Sequence, residues 1–400
     1  MAYCVSDVVD QLDLSAIESV YEEEDRGQPP YQPRMMAKIL VYGYCVGVYS
    51  SRRIQKRLVE DVAFRVLAAG NQPDFRTISD FRKLHLPALE ELFQQVLRLV
   101  LKVSALKLGS VALDGSKVKG NASKHKAMSY GWMEESEKRL REEVRKLLKQ
   151  AEAADEEEDK RYGRDRRGHE LPEELQRRET RIVRIQEAKK ALEERAREKA
   201  ANDRKDRKEA KPEPEAQYNF TDPESRIMKG PDEFVQGYNT QVAVEPLLQL
   251  IVGQTVTQAA NDKRQMVPLI EEQSGQRPEE VLADSGYCSE ENLKYLAKRR
   301  MARFVATEKQ KHGGRNEPCQ RGPLPKDASR VERMARKLKT KVGAAIYARR
   351  KCVVEPVFGQ IKQARGFRQF LLRVLEKVRG EWALICMTHN LLKFHKLCYG

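Results

Sequence analysis

Paired cysteines, long apolar runs and a secretion pattern are all missing from this sequence. Its 7 cysteines are scattered over 400 residues without a CxxC pair, which argues against a zinc finger and a disulfide framework. Sparse, unpaired cysteines fit a reducing cytoplasm. No apolar run approaches the roughly 18 residues that a membrane-spanning helix requires. The N-terminus MAYCVSDVVDQLDL lacks a basic stretch followed by an apolar core, so no secretion signal is expected.

The net charge of the chain is strongly positive. Lys and Arg number 75 against 60 Asp and Glu, which gives a formal charge of +15 and an isoelectric point of about 9.4. A polyanion is the natural partner of such a chain, and nucleic acid is the commonest one. The alternative is a soluble enzyme with a basic surface. The length allows two or three domains and a sizeable buried core.

Residues 1–108 have the pattern of short helices. Apolar positions recur at helical spacing, and a turn-rich segment, RGQPPYQPR at 26–34, interrupts them. Two interpretations suit such a region: a helix-turn-helix-like DNA-binding module or a helical bundle for oligomerisation. We favour DNA contact because basic residues cluster on the short predicted helices: Arg52, Arg53, Lys56, Arg57, Arg76, Arg82 and Lys83.

Two aspartates each end a short apolar stretch that is typical of a buried strand. Asp114 is followed by Gly and Ser, then by Lys117 and Lys119, whereas Asp284 is followed by Ser, Gly and Tyr. An acid at a strand end is well placed for catalysis because the strand holds it rigidly. The lysines after Asp114 are suited to neutralise phosphates. Either aspartate alone also fits an ordinary turn, but together they predict one metal site on neighbouring strands.

A third acid, Glu355, lies in the basic and aromatic stretch YARRKCVVEPVFGQIKQARGFRQF at 347–370. Apolar residues flank it, so we expect it at the buried edge of a helix that begins near Ser329. Lys362 follows two helical turns later on roughly the same face. A carboxylate for a metal and an ammonium for a phosphate would make a useful pair there. The alternative is an incidental pair on a solvated helix.

The segment 125–215 is rich in Glu, Lys, Arg and Ala, with apolar residues at helical spacing on both sides of a break at 155–170. Glu and Lys or Arg at i, i+4 support such helices. We expect an antiparallel helical hairpin that is mostly a solvated insertion; the less favoured interpretation is that Arg164, Arg166 and Arg167 contact DNA. Beyond it, alternating residues on both sides of Pro246 predict a β-hairpin.

Three motifs give the chain a family resemblance. VALDGSKVKGNAS around Asp114, VLADSGY around Asp284 and EPVFGQIKQARGF from Glu355 resemble the Asp-Asp-Glu triad of bacterial insertion-sequence transposases. The resemblance extends over essentially the whole chain, through YGYCVGVYSSRRI, TISDFRKLH, DPESRIMKGPDEFVQGYNTQVAV and GEWALICMTHNLLKF. Any one of these stretches would be weak evidence, but together they are specific.

The resemblance implies an α/β fold with a ribonuclease H-like mixed sheet flanked by helices. Its acids would come from the first strand, the fourth strand and a late helix. The expected organisation is a helical DNA-binding domain at 1–108, a catalytic domain at 109–124 and 216–400, and a charged helical insertion at 125–215. The first helix begins almost at once, whereas relatives usually have a short stretch before it, which suggests a shortened N-terminus.

The resemblance also implies a reaction. Asp114, Asp284 and Glu355 would bind Mg²⁺, for which Mn²⁺ would substitute, and water would free a 3′-hydroxyl at the transposon end. That hydroxyl would then attack target DNA. Lys117, Lys119, Lys362 and Arg350 would contact the DNA. The partners would be double-stranded DNA and a second copy of the chain, in a bacterial cytoplasm and at the nucleoid.

One subgroup of that family carries a Tyr-Arg-Glu-Lys signature with the spacing Y-x2-R-x3-E-x6-K. Tyr347 and Arg350 keep the first interval, and Glu355 and Lys362 keep the last, but one extra residue separates Arg350 from Glu355. Either Lys351 takes the place of the arginine or the helix register differs locally. Two other functions stay open: a ribonuclease H-like nuclease without strand transfer, and a DNA-binding remnant without catalysis.

Overall fold

The computed structural model describes residues 1–22, 30–162, 173–202, 210–230, 233–271, 276–308, 322–325 and 327–400. These residues form two compact units, one of Met1–Asn121 with Met228–Gly400 and one of Ala122–Ile227. The strands are β1 (Ser110–Lys119), β2 (Ala127–Ser129), β3 (Gln217–Asn219), β4 (Arg226–Lys229), β5 (Phe234–Val244), β6 (Ile251–Thr257), β7 (Glu280–Ala283) and β8 (Ala302–Val305). The division of function among 1–108, 125–215 and the rest of the chain stays a prediction.

The region before β1 is helical, as the sequence predicts. Its helices are α1 (Ala2–Gln11), α2 (Ser15–Glu22), α3 (Pro33–Cys45), α4 (Ser51–Glu60), α5 (Val62–Leu67), α6 (Phe75–Leu84) and α7 (Leu86–Val103). Local chemistry sets several of their starts. Pro33 occupies the first turn of α3, where a missing N–H costs nothing. Asp61 and Asp74 cap α5 and α6 by accepting backbone N–H groups.

The main sheet has the mixed topology of a ribonuclease H-like fold. Its strands follow the order β4-β5-β1-β7-β8, and β6 also pairs with β5. β1 is antiparallel to β5, and β5 is antiparallel to β6, which confirms the predicted hairpin. On its other side β1 is parallel to β7, which is parallel to β8. The predicted mixed sheet flanked by helices is therefore confirmed.

The C-terminal part of the large unit supplies the helices α10 (Met266–Glu271), α11 (Glu290–Lys298), α12 (Arg330–Lys339), α13 (Lys341–Gly359) and α14 (Leu375–Tyr399). The sequence predicts one helical run from Ser329, but the structure has two helices because Thr340 is extended and caps α13. Ser329 and Glu332 form a reciprocal capping box at the start of α12. A π-helix at Gln360–Ala364 follows α13.

The core of the large unit joins its N-terminal helices to α14. Trp382 is fully buried in it. A buried polar chain crosses the same contact: the Arg82 guanidinium donates to Tyr44 Oη at 3.1 Å, and Tyr44 donates to Glu381 at 3.2 Å. Glu381 also accepts the backbone N–H groups of Leu371 and Leu372. The expectation that Arg82 lies on a DNA-binding surface is therefore wrong, since its side chain is buried and hydrogen-bonded inside the core.

The smaller unit is built on an antiparallel helical hairpin, as the sequence predicts. It contains α8 (Tyr130–Tyr162) and α9 (Glu173–Asn202). Lys189 pairs with Glu137 at 2.9 Å and Arg178 pairs with Glu143 at 3.0 Å, so the helices run in opposite directions. β2 and β3 pair antiparallel near the base. Arg164, Arg166 and Arg167 lie outside the described residues. Among the described helices, none has the length and apolarity to cross a bilayer.

Candidate active site

Asp114 lies in the middle of β1, not at its end. β1 continues to Lys119 alongside β5, and Asp114 is paired with Val242. On the other side the pairing with β7 stops at Leu113 opposite Ala283. The predicted strand end at Asp114 is therefore wrong, because β5 keeps Gly115 and Ser116 extended instead of letting them turn. Asp114 stands where the parallel neighbour has finished, at an opening in the sheet.

Asp284 follows β7 directly and reaches the same opening. It caps the short helix Ser285–Tyr287 by accepting the N–H of Gly286 at 2.9 Å. Asp114 accepts the N–H of Gly115 at the same distance. The parallel pairing of β1 with β7 ends at Leu113 and Ala283. Each aspartate is therefore the next residue after the last paired residue of its strand. The turn role proposed as an alternative for Asp284 is real, and it coexists with proximity to Asp114.

The two aspartates influence each other electrostatically. Burial raises the pKa of Asp114 to about 6; the Arg350 charge opposes that shift, and Asp284 adds to it. Burial also raises the pKa of Asp284, against the opposing charge of Arg350. Crowding two carboxylates in a partly desolvated place disfavours their ionised forms unless a cation is present. The electrostatics of the site therefore favour a cation beside the two carboxylates.

In this structure Arg350 supplies that positive charge. Its Nη1 lies 3.2 Å from Asp114 Oδ2, with side-chain exposures of 10% and 20%. The guanidinium carbon also lies 6.0 Å from the centroid of the Tyr347 ring. Lys351, the other candidate for this position, is exposed. Of the two alternatives left by the sequence, the arginine facing the aspartates is Arg350.

Two of the lysines predicted to contact DNA lie close to β1. Lys362 donates to Ser116 Oγ at 2.6 Å and to the carbonyl of Lys117 at 2.8 Å. Burial lowers the pKa of Lys362 to about 8, and the neighbouring Lys117 charge adds to that effect. Lys117 itself is largely covered and lies 3.7 Å from Asp262. Lys119 is an exposed partner of Glu233 at 3.0 Å.

Glu355 does not join the two aspartates in this structure. It is exposed on α13, so the expectation of a buried edge is wrong. On an ideal helix Glu355 is rotated by roughly 140° from Arg350, and Arg350 is the residue that turns inward. The π-helix further on changes the register, and Lys362 bonds to Ser116 rather than standing beside Glu355. Among the described residues, no ion pair includes Glu355.

Sequence reasoning missed a polar network on the other face of β1. Asp262 accepts hydrogen bonds from Asn239 at 2.7 Å and from Gln241 at 2.6 Å. Tyr287, in the turn after Asp284, donates to the other end of the Gln241 amide. In the sequence, Asn261 or Asp262 is a candidate cap for a helix through Ile270, but α10 begins at Met266. No local pattern predicts the contacts of Asp262, because they depend on the pairing of β5 with β1.

The donor chemistry of the aspartate pair fits a divalent metal ion. Carboxylate oxygens are the ligands that Mg²⁺ prefers, and burial raises the pKa of both carboxyls, so a cation would favour their ionised forms. Within the described ranges, however, no cluster of three or more His, Cys, Asp or Glu residues has the arrangement to hold a metal. Asp114 and Asp284 thus form a partial donor set, and Glu355 is not placed with them.

Comparison with known families gives two matches. Residues 2–84 match a family described as "Transposase domain (DUF772)". Residues 203–391 match a family described as "Transposase DDE domain", a range that includes Asp284 and Glu355. Searches of curated proteins and of solved structures returned no significant match.

Proposed function

Because the chain belongs to the DDE transposases of insertion sequences, we propose that Asp114, Asp284 and Glu355 are its three catalytic carboxylates. It is a DNA transposase, and DDE transposases use divalent metal ions. The observation that carries the assignment is the half-buried aspartate pair beside the last paired residues of β1 and β7. Asp114 precedes the second family match, so its assignment rests on this geometry and on the resemblance of its motif.

The proposed metal is Mg²⁺, with Mn²⁺ able to replace it. Such ions would supply charge neutralisation and an activated oxygen nucleophile. Asp114 and Asp284 would present their carboxylates to the metal in fixed orientations, since both accept hydrogen bonds from backbone N–H groups. Glu355 stands on the exposed surface of α13 between Arg350 and Lys362 along the chain. In the proposal it completes the donor set in the DNA complex.

The basic residues near the pair have distinct proposed tasks. Arg350 neutralises Asp114 in the DNA-free protein and is available to a phosphate when other cations take over that carboxylate. Lys362 lies beside Ser116 and can place its ammonium against a phosphate next to the scissile bond. Lys119 is exposed enough to meet the DNA backbone. Lys117 is mostly covered, so its contribution to DNA is as a nearby charge.

The proposed reaction has two steps on one DNA strand. Water attacks the phosphodiester at a transposon end and leaves a 3′-hydroxyl there. That hydroxyl then attacks a phosphodiester of the target, so one P–O bond forms as another breaks. We further propose that two copies of the chain pair the two ends, and that the protein works at the nucleoid, where its substrate is. These points follow the family and the net positive charge.

The test is a cleavage and joining assay with duplexes taken from the DNA that flanks the gene. With Mg²⁺, the wild-type protein should give nicked ends and joined products, and Asp114→Asn, Asp284→Asn and Glu355→Gln should each lower the rate by about 10³-fold, because metal-based stabilisation is worth several kcal/mol. A matched control is Glu376→Gln, at the start of α14, which should cleave normally. Any triad variant that cleaves at the wild-type rate would show that residue to be misassigned.

A further inference from the structure

Asp262 lies beside the candidate site although it comes from a separate loop, between β6 and α10. Its side chain is 18% exposed, and Oδ1 receives hydrogen bonds from the amides of Asn239 and Gln241. The ammonium of Lys117 is 3.7 Å from the same oxygen. Asn239 and Gln241 are the β5 partners of Lys117 and Gly115. Three positively polarised groups therefore converge on one carboxylate oxygen behind β1.

Two glycines make room for this carboxylate. A Cβ at Gly115 would stand 3.1 Å from Asp262 Oδ1 and even closer to the Gln241 amide. A Cβ at Gly286 would stand 2.9 Å from Asp262 Oδ2 and 3.0 Å from Asp284 Oδ1. These are the glycines whose N–H groups bind the two catalytic aspartates. Asp262 is thus packed directly against both backbone segments that present Asp114 and Asp284.

The network also fixes the orientation of the turn that carries Asp284. An ionised carboxylate can only accept hydrogen bonds, so Gln241 must turn its Nε2 towards Asp262. Its Oε1 then points to the hydroxyl of Tyr287, which is fully buried and needs an acceptor. Tyr287 ends the short helix that Asp284 caps. The chain of contacts therefore runs from Asp262 through Gln241 and Tyr287 to the turn of Asp284.

A role as a simple loop anchor does not explain the charge at position 262. The amides of Asn239 and Gln241 need an acceptor oxygen, which an asparagine would also supply. A carboxylate does two things that an amide cannot: it forces a single orientation on Gln241, and it provides a counter-charge for the poorly exposed Lys117. Both effects act next to Asp284 and Asp114 rather than on the stability of the loop.

We propose that Asp262 is a positioning residue of the active site, which aligns Asp284 through Gln241 and Tyr287 and holds Lys117 behind β1. Among the described residues, Asp262 does not form a three-residue metal-binding group with Asp114 and Asp284. This inference rests on the proposed role of Asp114 and Asp284 in metal binding. Asp262 would thereby raise the affinity of the aspartate pair for a cation.

The experiment measures Mn²⁺ affinity of the full-length, DNA-free chain by calorimetric titration, together with thermal unfolding. Asp262→Asn should weaken Mn²⁺ binding by about 10- to 100-fold, as loss of an orienting partner typically does, with little change in melting temperature. Tyr287→Phe, which keeps the packing, should weaken it in the same way. The two effects should not add in the double variant, because both residues act through Gln241.

Two control variants, Glu245→Gln and Gly109→Ala, separate this inference from a purely structural effect. Glu245→Gln removes a buried carboxylate at the far end of β5, where it accepts the N–H groups of Leu247 and Leu248; it should lower the melting temperature and leave Mn²⁺ affinity unchanged. Gly286→Ala should weaken Mn²⁺ binding because the new methyl group pushes Asp262 and Asp284 apart. Gly109→Ala, whose Cβ would meet no atom within 4 Å, should not.

Asp284→Asn in the same titration tells the two proposals apart. If Asp284→Asn weakens binding while Asp262→Asn and Tyr287→Phe leave it unchanged, the positioning role is refuted and the metal site stands. If Asp284→Asn leaves binding unchanged, the metal site itself is refuted, and with it the basis for a role of Asp262. Weakened binding in all three variants, with intact folding, supports both.

Discussion

Replacing Asp114 by asparagine should stabilise the metal-free protein at neutral and alkaline pH. Burial raises the pKa of Asp114 from 3.8 to about 6, net of the opposing Arg350 charge and the reinforcing Asp284 charge. The folded state therefore binds this proton more tightly than the unfolded state does. The stability that comes from the neutral carboxyl is fully present below about pH 4 and is lost as the pH rises through 6.

The expected size follows from the same shift. A difference of about two pKa units at 1.36 kcal/mol each gives about 3 kcal/mol. Asparagine has nearly the same shape and cannot ionise, so at pH 8 its free energy of unfolding should exceed that of the wild type by up to about 3 kcal/mol. The difference should shrink several-fold at pH 4.5. Urea unfolding with a chelator present, at both pH values, measures it.

Asp80→Asn is the control for this measurement, since its carboxylate is exposed and pairs with Lys83 on the surface. It should change stability little at either pH. Adding Mg²⁺ should remove most of this advantage, because an ion at 100 times its dissociation constant stabilises the wild type by about 2.7 kcal/mol and the variant much less. An Asp114→Asn protein that is less stable than the wild type at pH 8, or whose advantage ignores pH, would refute the reasoning.

Three further predictions concern groups away from the metal ligands. Burial lowers the pKa of His389 to about 3, so the wild type should lose about 2 kcal/mol of stability between pH 6.5 and 4.5 as the unfolded chain takes up the proton; His389→Gln should not, in urea unfolding at both pH values. The pKa of Lys362 is lowered to about 8, so fluorescence anisotropy should show end-DNA affinity falling above pH 8, and Lys362→Arg should prevent the fall. Tyr44→Phe removes the hydroxyl between Arg82 and Glu381 and should cost about 1–3 kcal/mol in thermal unfolding.

The strand positions of the site were predictable from local sequence, but the length of β1 was not. Short apolar stretches before Asp114 and Asp284 correctly indicated buried strands. The sequence predicts a turn at Gly115 and Ser116. They stay extended because their backbone is paired with Gln241 and Thr240 on β5, a contact between residues far apart in the chain that no local pattern reveals.

The exposure of Glu355 was accessible to sequence reasoning. The apolar neighbours of Glu355 in the sequence, Val353, Val354, Val357 and Phe358, predict a buried position when only their proximity along the chain is considered. On a helix these four positions form one apolar stripe, and all four are buried. Glu355 is rotated by roughly 200° from Val353, which places it on the opposite side. The periodicity itself therefore indicated exposure.

The contacts of Asp262 and Arg350 could not be predicted from the sequence. The residues around Asp262 in the sequence do not indicate that the amides of two β5 residues donate hydrogen bonds to it. The extra residue in the Tyr-Arg-Glu-Lys signature leaves two alternatives, a replacement of the arginine by Lys351 or a local change of helix register around Arg350. Burial decides between them, because Arg350 packs on Tyr347 and faces Asp114, whereas Lys351 lies in solvent.

The central claim is that Asp114 and Asp284 bind the catalytic metal and that Glu355 completes the site on DNA. An anomalous-diffraction map of the protein in complex with end DNA and Mn²⁺ tests it most directly. We expect a Mn²⁺ peak within about 2.5 Å of carboxylate oxygens from both aspartates, with Glu355 moved from its exposed position to the same site. A Mn²⁺ peak that contacts neither aspartate, in a complex with ordered DNA, would contradict it.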